Sequence, residues 1–350
     1  MSNGKQHIEE TAKSFAHSAS HEFRGASPLY EIFAMGMSTD AELLSLASGA
    51  ISKPIPMIFL AVVHFLLLDG AEHPIAEYYP DIHPEPHPPE AGIYPFFRDF
   101  CFQHQAEIKK LVTTYHVQTN EVRRCACFLP AFGIAAKQAQ GIPLALVEIG
   151  ASAGLNLLWD RYGYDYRNGI VYGNRTSPVQ LTCTVRGEMR PPLPDTLPQI
   201  ISRIGIDLNP IDVRDSSAVK WLKSFIWPEQ TARFELLHRA IEIARNTPPE
   251  LRKGDALDIL PGVIDALPPD SYPCLFHSFV SNQMSPEERS HLANIIDNYG
   301  PKRNLCSISI DLSDKYKYPR LDMLSYNNGM KGHRHLANCS GHSRWLEWLE

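Results

Sequence analysis

A chain of 350 residues exceeds what one hydrophobic core usually covers, so two domains, or one domain with a large elaboration, are expected. Hydrophobic residues make up 44% and charged residues 21%, which excludes wholesale disorder. Lys and Arg total 33 against 39 Asp and Glu, a formal charge of −6, which excludes a protein that holds nucleic acid by electrostatics.

No membrane partner is expected either. The longest uncharged apolar stretch, residues 54–68, has 15 residues, short of the ~20 that a spanning helix needs. The opening MSNGKQHIEE has no apolar h-region, so no signal peptide is expected. Seven cysteines, an odd number with no CxxC pair, fit reduced thiols in a cytoplasmic protein.

Residues 7–72 read as helices, with AELLSLA (Ala41–Ala47) and residues 57–68 too rich in Leu, Met and Ala for strands. The second is apolar on nearly every face, the mark of a buried helix. Seven of the 28 prolines lie between Pro74 and Pro95, so that segment reads as an irregular loop. Helical periodicity resumes over 96–114 and over 119–140. At Pro143 the pattern changes to a short apolar run, LALVEI (Leu144–Ile149), closed by the loop GASAG and a helical stretch over 155–162. Further strands are predicted over 203–208, 250–256, 272–277 and 304–310, with helices over 229–245 and Pro286–Tyr299. Strands alternating with helices imply a mostly parallel sheet, interrupted by an insertion at about 163–200. The predicted domains are a helical cap over 1–140 and an α/β domain over 141–350.

In such a sheet, ligands sit at the carboxyl ends of the strands, and here every predicted strand end is polar: Glu148, Asp207, Asp255, His277 and Asp311. The glycine loop lacks a dinucleotide fingerprint, because Ser152 and Leu155 stand where glycines are required, and no Lys-Ser/Thr pair makes it a Walker loop. Glu148-x-Gly150-x-Ser152-x-Gly154 instead resembles the acidic-x-G-x-G-x-G loop of class I S-adenosylmethionine-dependent methyltransferases, with one Gly replaced by Ser. A cofactor without phosphate needs only a close-lying backbone, a carboxylate for its ammonium and a helix N-terminus for its carboxylate. Asp207 is placed to accept from the ribose hydroxyls and Asp255 from the adenine amino group. Glu148 and Asp207 are 59 residues apart, against the ~20 usual in nucleotide folds, so the insertion must loop out.

The segments GASPLY (25–30), QTNEVR (118–123), EIGASAGLN (148–156), GIDLNP (205–210), WPEQ (227–230), GDALD (254–258) and HSRWLEW (342–348) carry a resemblance over nearly the whole chain. They resemble the bacterial and fungal proteins grouped as domain of unknown function 2332. The resemblance implies a methyltransferase-like fold without a settled reaction. Ser340 departs from it where a second His before His342 is expected.

The fold expected is therefore α/β: a Rossmann-like, class I methyltransferase-type, mostly parallel sheet with an N-terminal all-helical domain. The function expected is that of an S-adenosylmethionine-dependent methyltransferase-like enzyme acting on a small molecule. Cofactor-binding candidates are Glu148, Gly150, Ser152, Gly154, Asn156, Asp207, Asp255 and Ala256. Catalytic candidates are His277, Glu121 and Asn120; substrate-binding candidates are Gln118, Arg123, Trp227, His342 and Arg344. Each has a plainer reading. Thr119 or Asn120 is also a helix N-cap, His277 a core histidine, and Glu229 of WPEQ a cap for its own helix. His333, His335, Cys339 and His342 match no closed zinc spacing, and no metal is expected. Two alternatives stay open: a cofactor-binding protein or non-methylating enzyme on the same fold, and a serine hydrolase. GASAG fits GxSxG around Ser152, and an acid and a His follow in the required chain order.

Overall fold

The computed structural model describes residues 2–313 and 315–350. Its helices are α1 (Ser2–His17), α2 (Pro28–Met37), α3 (Ala41–Ala47), α4 (Ile55–Leu68), α5 (Tyr94–Gln103), α6 (Gln105–Val112), α7 (Arg124–Ala139), α8 (Ser216–Ser224), α9 (Thr231–Asn246), α10 (Ala256–Asp265) and α11 (Pro286–Tyr299). Its strands are β1 (Leu144–Ile149), β2 (Gly163–Asp165), β3 (Val171–Gly173), β4 (Gln180–Thr182), β5 (Thr184–Arg186), β6 (Ile200–Asp207), β7 (Glu250–Lys253), β8 (Tyr272–Ser278), β9 (Leu305–Asp311), β10 (Arg320–Asn327), β11 (Met330–Cys339) and β12 (Trp345–Trp348). Two compact units result: Met1–Thr119 with Arg214–Leu237, and Asn120–Val213 with His238–Glu350.

The first unit is helical. Ser27 caps α2 by accepting the Tyr30 N–H at 3.3 Å, with Pro28 in the first turn, and Asp40 caps α3. These are the side chains that satisfy otherwise orphaned first-turn amides. Helix α4 is buried along almost its whole length, as its unbroken apolar sequence requires. Around it and its own Phe59 gather Phe15, Phe33, Phe97 and Phe100, with Phe33 and Phe97 stacked at 4.2 Å. The proline-rich segment is irregular apart from two short 3-10 turns, Pro74–Tyr78 and Ala91–Ile93.

The segment 214–237 groups with this unit and not with the α/β part in which it was expected. The reason is apolar: Trp221 packs edge-on against Phe65 at 5.6 Å, and Phe225 joins the same core. Helix α9 starts at Thr231, so Pro228 and Glu229 lie outside it. Glu229 does not cap its own helix. It accepts the Ser27 hydroxyl at 2.5 Å and the Leu29 N–H at 2.8 Å, at the start of α2.

The second unit is built on a nine-stranded, mostly parallel sheet in the order β5-β12-β11-β10-β9-β8-β1-β6-β7. From β7 to β9 all pairs are parallel, and β1, buried at every residue, lies between β6 and β8. Strands β9, β10 and β11 then run antiparallel. A turn with Asn328 and Gly329 both at positive φ joins β10 to β11, the backbone that a tight hairpin demands. Helices cover both faces. Ala145, Val147, Ile149, Ile206 and Leu275 pack on Leu260, Val263 and Ile264 of α10 and on Leu292, Ile295 and Ile296 of α11.

The other face takes α7, and this places the unit boundary at Asn120, ahead of the expected residue 140. Phe128 and Phe132 meet Phe276 at 5.4 and 5.3 Å, and Phe132 stacks on Trp159 at 4.5 Å. Pro130 inside α7 has no N–H, which leaves the Ala126 carbonyl without its helical donor; the Tyr166 hydroxyl supplies one at 2.5 Å. The insertion over 163–200 does loop out, as a small sheet in the order β3-β2-β4, but its last strand, β5, returns to pair with β12 at the edge of the large sheet.

Among the described residues no helix is long and apolar enough to cross a membrane. Truncation of Phe132 to Ala removes the ring shared by Trp159, Phe128 and Phe276, and a loss of about 3–5 kcal/mol is expected. A fall in the urea midpoint of the sheet unit's unfolding checks it; an unchanged midpoint would show that α7 is not anchored there.

Candidate functional site

The carboxyl edge of the parallel strands collects most of the predicted residues. Strand β1 ends at Ile149 and enters the loop 150–154, where Gly150, Ser152 and Gly154 all have positive φ. A Cβ on Gly150 would sit 2.5 Å from Val280 Cγ2, and one on Gly154 would sit 2.6 Å from Pro249 Cγ. These glycines are therefore demanded by the protein's own packing as well as by their backbone angles.

The loop's amides are committed internally. Gly150 and Ala151 N–H donate to the Ile206 carbonyl at 2.8 and 3.1 Å, and Gly154 N–H donates to Ala151 at 2.7 Å. Ser152 N–H donates to Asp207 Oδ2 at 2.8 Å, and Leu155 N–H to Asn120 Oδ1 at 3.1 Å. Five amides that a phosphate-binding loop would point at its anion thus already have acceptors. The stretch after the loop, Leu155–Arg161, is a 3-10 helix of 7 residues. With its first amide taken by Asn120, it is not the helix N-terminus expected to receive a cofactor carboxylate.

Glu148 is 2% exposed. Its Oε1 accepts from Asn156 Nδ2 at 3.1 Å, Asn156 Oδ1 faces the Cys125 thiol at 3.3 Å, and Glu148 Oε2 has no hydrogen-bond partner. Burial pushes its carboxyl up to about 8; Asn156 and the Arg124 charge oppose that rise, and Asp207 adds to it. Ser152 is also buried, and its hydroxyl has no partner. No histidine bonds it, so the nucleophile–base contact of a hydrolase is not formed.

Asp207, at the end of β6, accepts Ser152 N–H on one oxygen and Asn209 N–H, at 2.8 Å, on the other. Strand β7 ends at Lys253, so Asp255 is not a strand end but the N-cap of α10, accepting Leu257 N–H at 2.8 Å. Ala256 is the first residue of that helix.

Register separates the candidates by face. Glu148 pairs with Phe276 and Ile149 with His277, and successive strand residues point to opposite faces. Glu148 therefore lies on the α7 side and His277 on the side of α10 and α11. His277 is buried, with Nδ1 3.5 Å from Asp311 Oδ2, a charge contact and not a formed hydrogen bond. Burial lowers the pKa of His277, while Asp311 pulls it back up. The next residue, Leu312, is fastened at both backbone groups by Asn282, which accepts its N–H at 3.2 Å and donates to its carbonyl.

Helix α7 begins at Arg124, not at 119, so the segment 118–123 does not cap it. Asn120 reaches across to Leu155 instead, and Glu121 accepts Arg123 N–H at 3.3 Å and faces His342 Nδ1 at 3.1 Å. His342 is half exposed there. Arg344 is exposed, and its backbone joins Ser340 Oγ and Thr184 N–H instead of any of the strand-end carboxylates. Gln118 and Trp227 belong to the helical unit, where Trp227 packs edge-on against Phe23 at 5.1 Å. Arg124 was missed: its Nη1 donates to Ser278 Oγ at 2.9 Å, and its guanidinium lies 4.5 Å from the centre of the Phe279 ring. A helix counted from Thr119 assigns it to the wrong turn. Among the described residues no three His, Cys, Asp or Glu side chains come together as a metal group.

Two measurements test these electrostatics. The folded protein holds a proton on Glu148 that the unfolded chain has lost, so between about 4.5 and about 8 this residue makes stability fall as pH rises. Glu148→Gln keeps the shape without the ionisation. Its stability relative to the parent is expected to grow across that window, to a few kcal/mol on the order of magnitude set by the shift, as urea unfolding at the two ends will show. Asp311→Asn removes the charge that holds His277 up, and the imidazole's titration, followed by NMR, is expected to move to lower pH; no movement would mean that the two are uncoupled.

Comparison of the chain with curated proteins and with solved structures returns no match. The family described as an uncharacterized protein conserved in bacteria (DUF2332) matches over residues 12–348. With that match spanning nearly its whole length, the chain belongs to the domain of unknown function 2332 family.

Proposed function

We propose that the chain is an S-adenosylmethionine-dependent, methyltransferase-like enzyme with a Rossmann-like class I core and an N-terminal helical domain. The reading rests on the loop 150–154, which lies between acidic groups yet has the amides of residues 150, 151, 152 and 154 committed to protein acceptors. Such a loop suits a cofactor without phosphate. The order of the five parallel strands supports it: numbered by their own succession along the chain, they run 3-2-1-4-5, the order of doubly wound nucleotide folds, with the ligand crevice beside the first strand.

The acidic residues present fit that cofactor's ammonium and ribose, whereas the first amide of the stretch expected to take its carboxylate is held by Asn120. Glu148 Oε2 and Ser152 Oγ are buried polar atoms without partners, and an ammonium group would give the carboxylate both a hydrogen bond and a counter-charge. Asp207 keeps lone pairs for ribose hydroxyls beyond the two amides it already holds, and Asp255 and the amide of Ala256 would serve an adenine edge. When bound, the cofactor supplies a methyl group activated on a sulfonium.

The protein's own part is positioning and proton management. His277, uncharged because it is buried and on the opposite sheet face from Glu148, would take a proton from a hydroxyl or similar acceptor only at the strands' carboxyl edge, where the two faces meet, and Asp311 beside Nδ1 would stabilise the imidazolium that forms. A small-molecule acceptor is part of this proposal. Ser152 has a positive φ, as a nucleophile elbow would require, but its hydroxyl meets no base, and the hydrolase reading leaves Glu148 and Asp207 without a role.

Calorimetry of the purified chain with S-adenosylmethionine is the deciding experiment. Saturable binding is expected, weakened about tenfold or more in Asp207→Ala. Absence of binding by the parent protein overturns the proposal, and labelling of Ser152 by a fluorophosphonate would replace it with the hydrolase.

A further inference from the structure

A second imidazole stands at the carboxyl edge, in a setting opposite to that of His277. His342 lies in the turn between β11 and β12, and its side chain is 45% exposed, while the Glu121 side chain that faces it is 4% exposed. Glu121 Oε2 lies 3.1 Å from His342 Nδ1, and Glu121 Oε1 accepts the Arg123 N–H at 3.3 Å. A carboxyl whose two oxygens both act as acceptors assigns the ring proton to Nδ1 and leaves the lone pair of the neutral ring on Nε2. Among the described residues Nε2 has no hydrogen-bond partner. A buried carboxyl behind an accessible imidazole is the arrangement that holds a general base in its working tautomer.

Arg124 ties this pair to the strand ends. Its N–H donates to the Glu121 carbonyl at 3.1 Å, its Nε lies 3.5 Å from the Gly341 carbonyl, and its Nη1 donates to Ser278 Oγ at 2.9 Å. Ser278 is two residues beyond Phe276, the register partner of Glu148, so it points to Glu148's face of the sheet and His277 to the other. The same turn lies against Phe279, because a Cβ on Gly341 would sit 3.9 Å from Phe279 Cζ. Phe279 has a φ of 59°, a backbone that side-chain-bearing residues adopt rarely and that clusters at functional sites. Its ring centre is 4.5 Å from the Arg124 guanidinium.

We infer that His342 takes a proton from the acceptor on Glu148's side of the sheet, that Glu121 positions it, and that the acceptor is a phenol. The inference deepens the methyltransferase reading and rests on it for the use made of the deprotonated oxygen. Proton transfer works best between groups of matched acidity. An aliphatic hydroxyl holds its proton too tightly for imidazole, whereas an aromatic ring brings a hydroxyl within reach. Phe279 offers that ring an apolar neighbour, and Arg124 sets a positive charge beside the turn for the charge that develops on the oxygen. The O–H bond breaks, its proton goes to Nε2, and its electron pair stays on the oxygen. No oxidant, reductant or second reactant enters the step. The imidazolium that forms faces Glu121, which stabilises it.

The test needs neither cofactor nor turnover. The probe is p-nitrophenol, whose ionised form absorbs visible light and whose neutral form does not. Full-length protein is titrated into it in a buffer that leaves the free probe un-ionised, and saturable growth of the phenolate absorbance is expected. His342→Ala, at an exposed turn position, is expected to lower the saturated absorbance about tenfold or more, and His333→Gln, exposed on β11, to leave it unchanged. Glu121→Gln is expected to lower the saturated absorbance while the half-saturation point holds, the split that marks a positioning residue. In protein with ¹⁵N-labelled histidine, the His342 signals, identified by their absence in His342→Ala, are expected to show the neutral ring's proton on Nδ1. If Glu121→Gln does not fold, His342→Ala and the tautomer carry the test. No saturable phenolate absorbance, equal absorbance in the parent and His342→Ala, a loss in His277→Asn in place of His342→Ala, or a proton on Nε2 overturns the inference. Each of these outcomes is read apart from S-adenosylmethionine calorimetry: phenolate without cofactor binding supports the proton transfer and overturns the methyltransferase reading alone.

Discussion

Glu148 lies at the end of a strand buried at every residue, and a carboxylate there has one hydrogen bond, from Asn156, to set against the loss of water. Its neighbours are arranged around that difficulty. Asn156 is held in turn by the Cys125 thiol of α7, and Leu155, beside it, is tied to Asn120. The carboxyl is pushed up to about 8, so near neutral pH it is poised between protonated and charged forms. A nearby cation decides which form prevails. This makes the strand end sensitive to what binds beside it.

The loop that follows is stiff for a related reason. Each exit from the parallel strands is fastened to its neighbour: the amides of residues 150 and 151 to the end of β6, Ser152 to Asp207, and Gly254 N–H to the Asp207 carbonyl at 3.0 Å. Asp207 thereby serves three segments from one position. A loop secured in this way keeps its shape without a ligand, which lowers the ordering cost of binding. It also withholds the amides that would attract a phosphate.

The helical unit solves a different problem with the same chemistry. Glu229, from a segment that enters late in the chain, closes the open start of α2, and His64 places a hydrogen bond to Asp81, Nε2 to Oδ2 at 2.7 Å, inside a largely aromatic and aliphatic core. Removing either member of such a buried pair leaves a polar group without its partner, which is costlier than losing a surface pair.

Periodicity and punctuation in the sequence determined much of this protein by themselves. The apolar run of α4, the span of α11, the turn from LALVEI into GASAG and the positions of β8 and β9 were all legible, because local rules govern them. So was the acidic character of the strand ends. Faces and partners were not. Whether Glu148 and His277 share a side of the sheet depends on register, which is set by pairing across strands far apart in sequence. That 214–237 packs with the N-terminal helices depends on where Trp221 and Phe225 find apolar neighbours. The start of α7 at Arg124, and with it the roles of Asn120 and Arg124, was decided by contacts with residues 155 and 278. Sequence determined that acidic side chains close β1 and β6; only tertiary packing decided which other side chains reach that edge and which of them meet, because hydrogen bonds and burial act between segments that no local pattern connects.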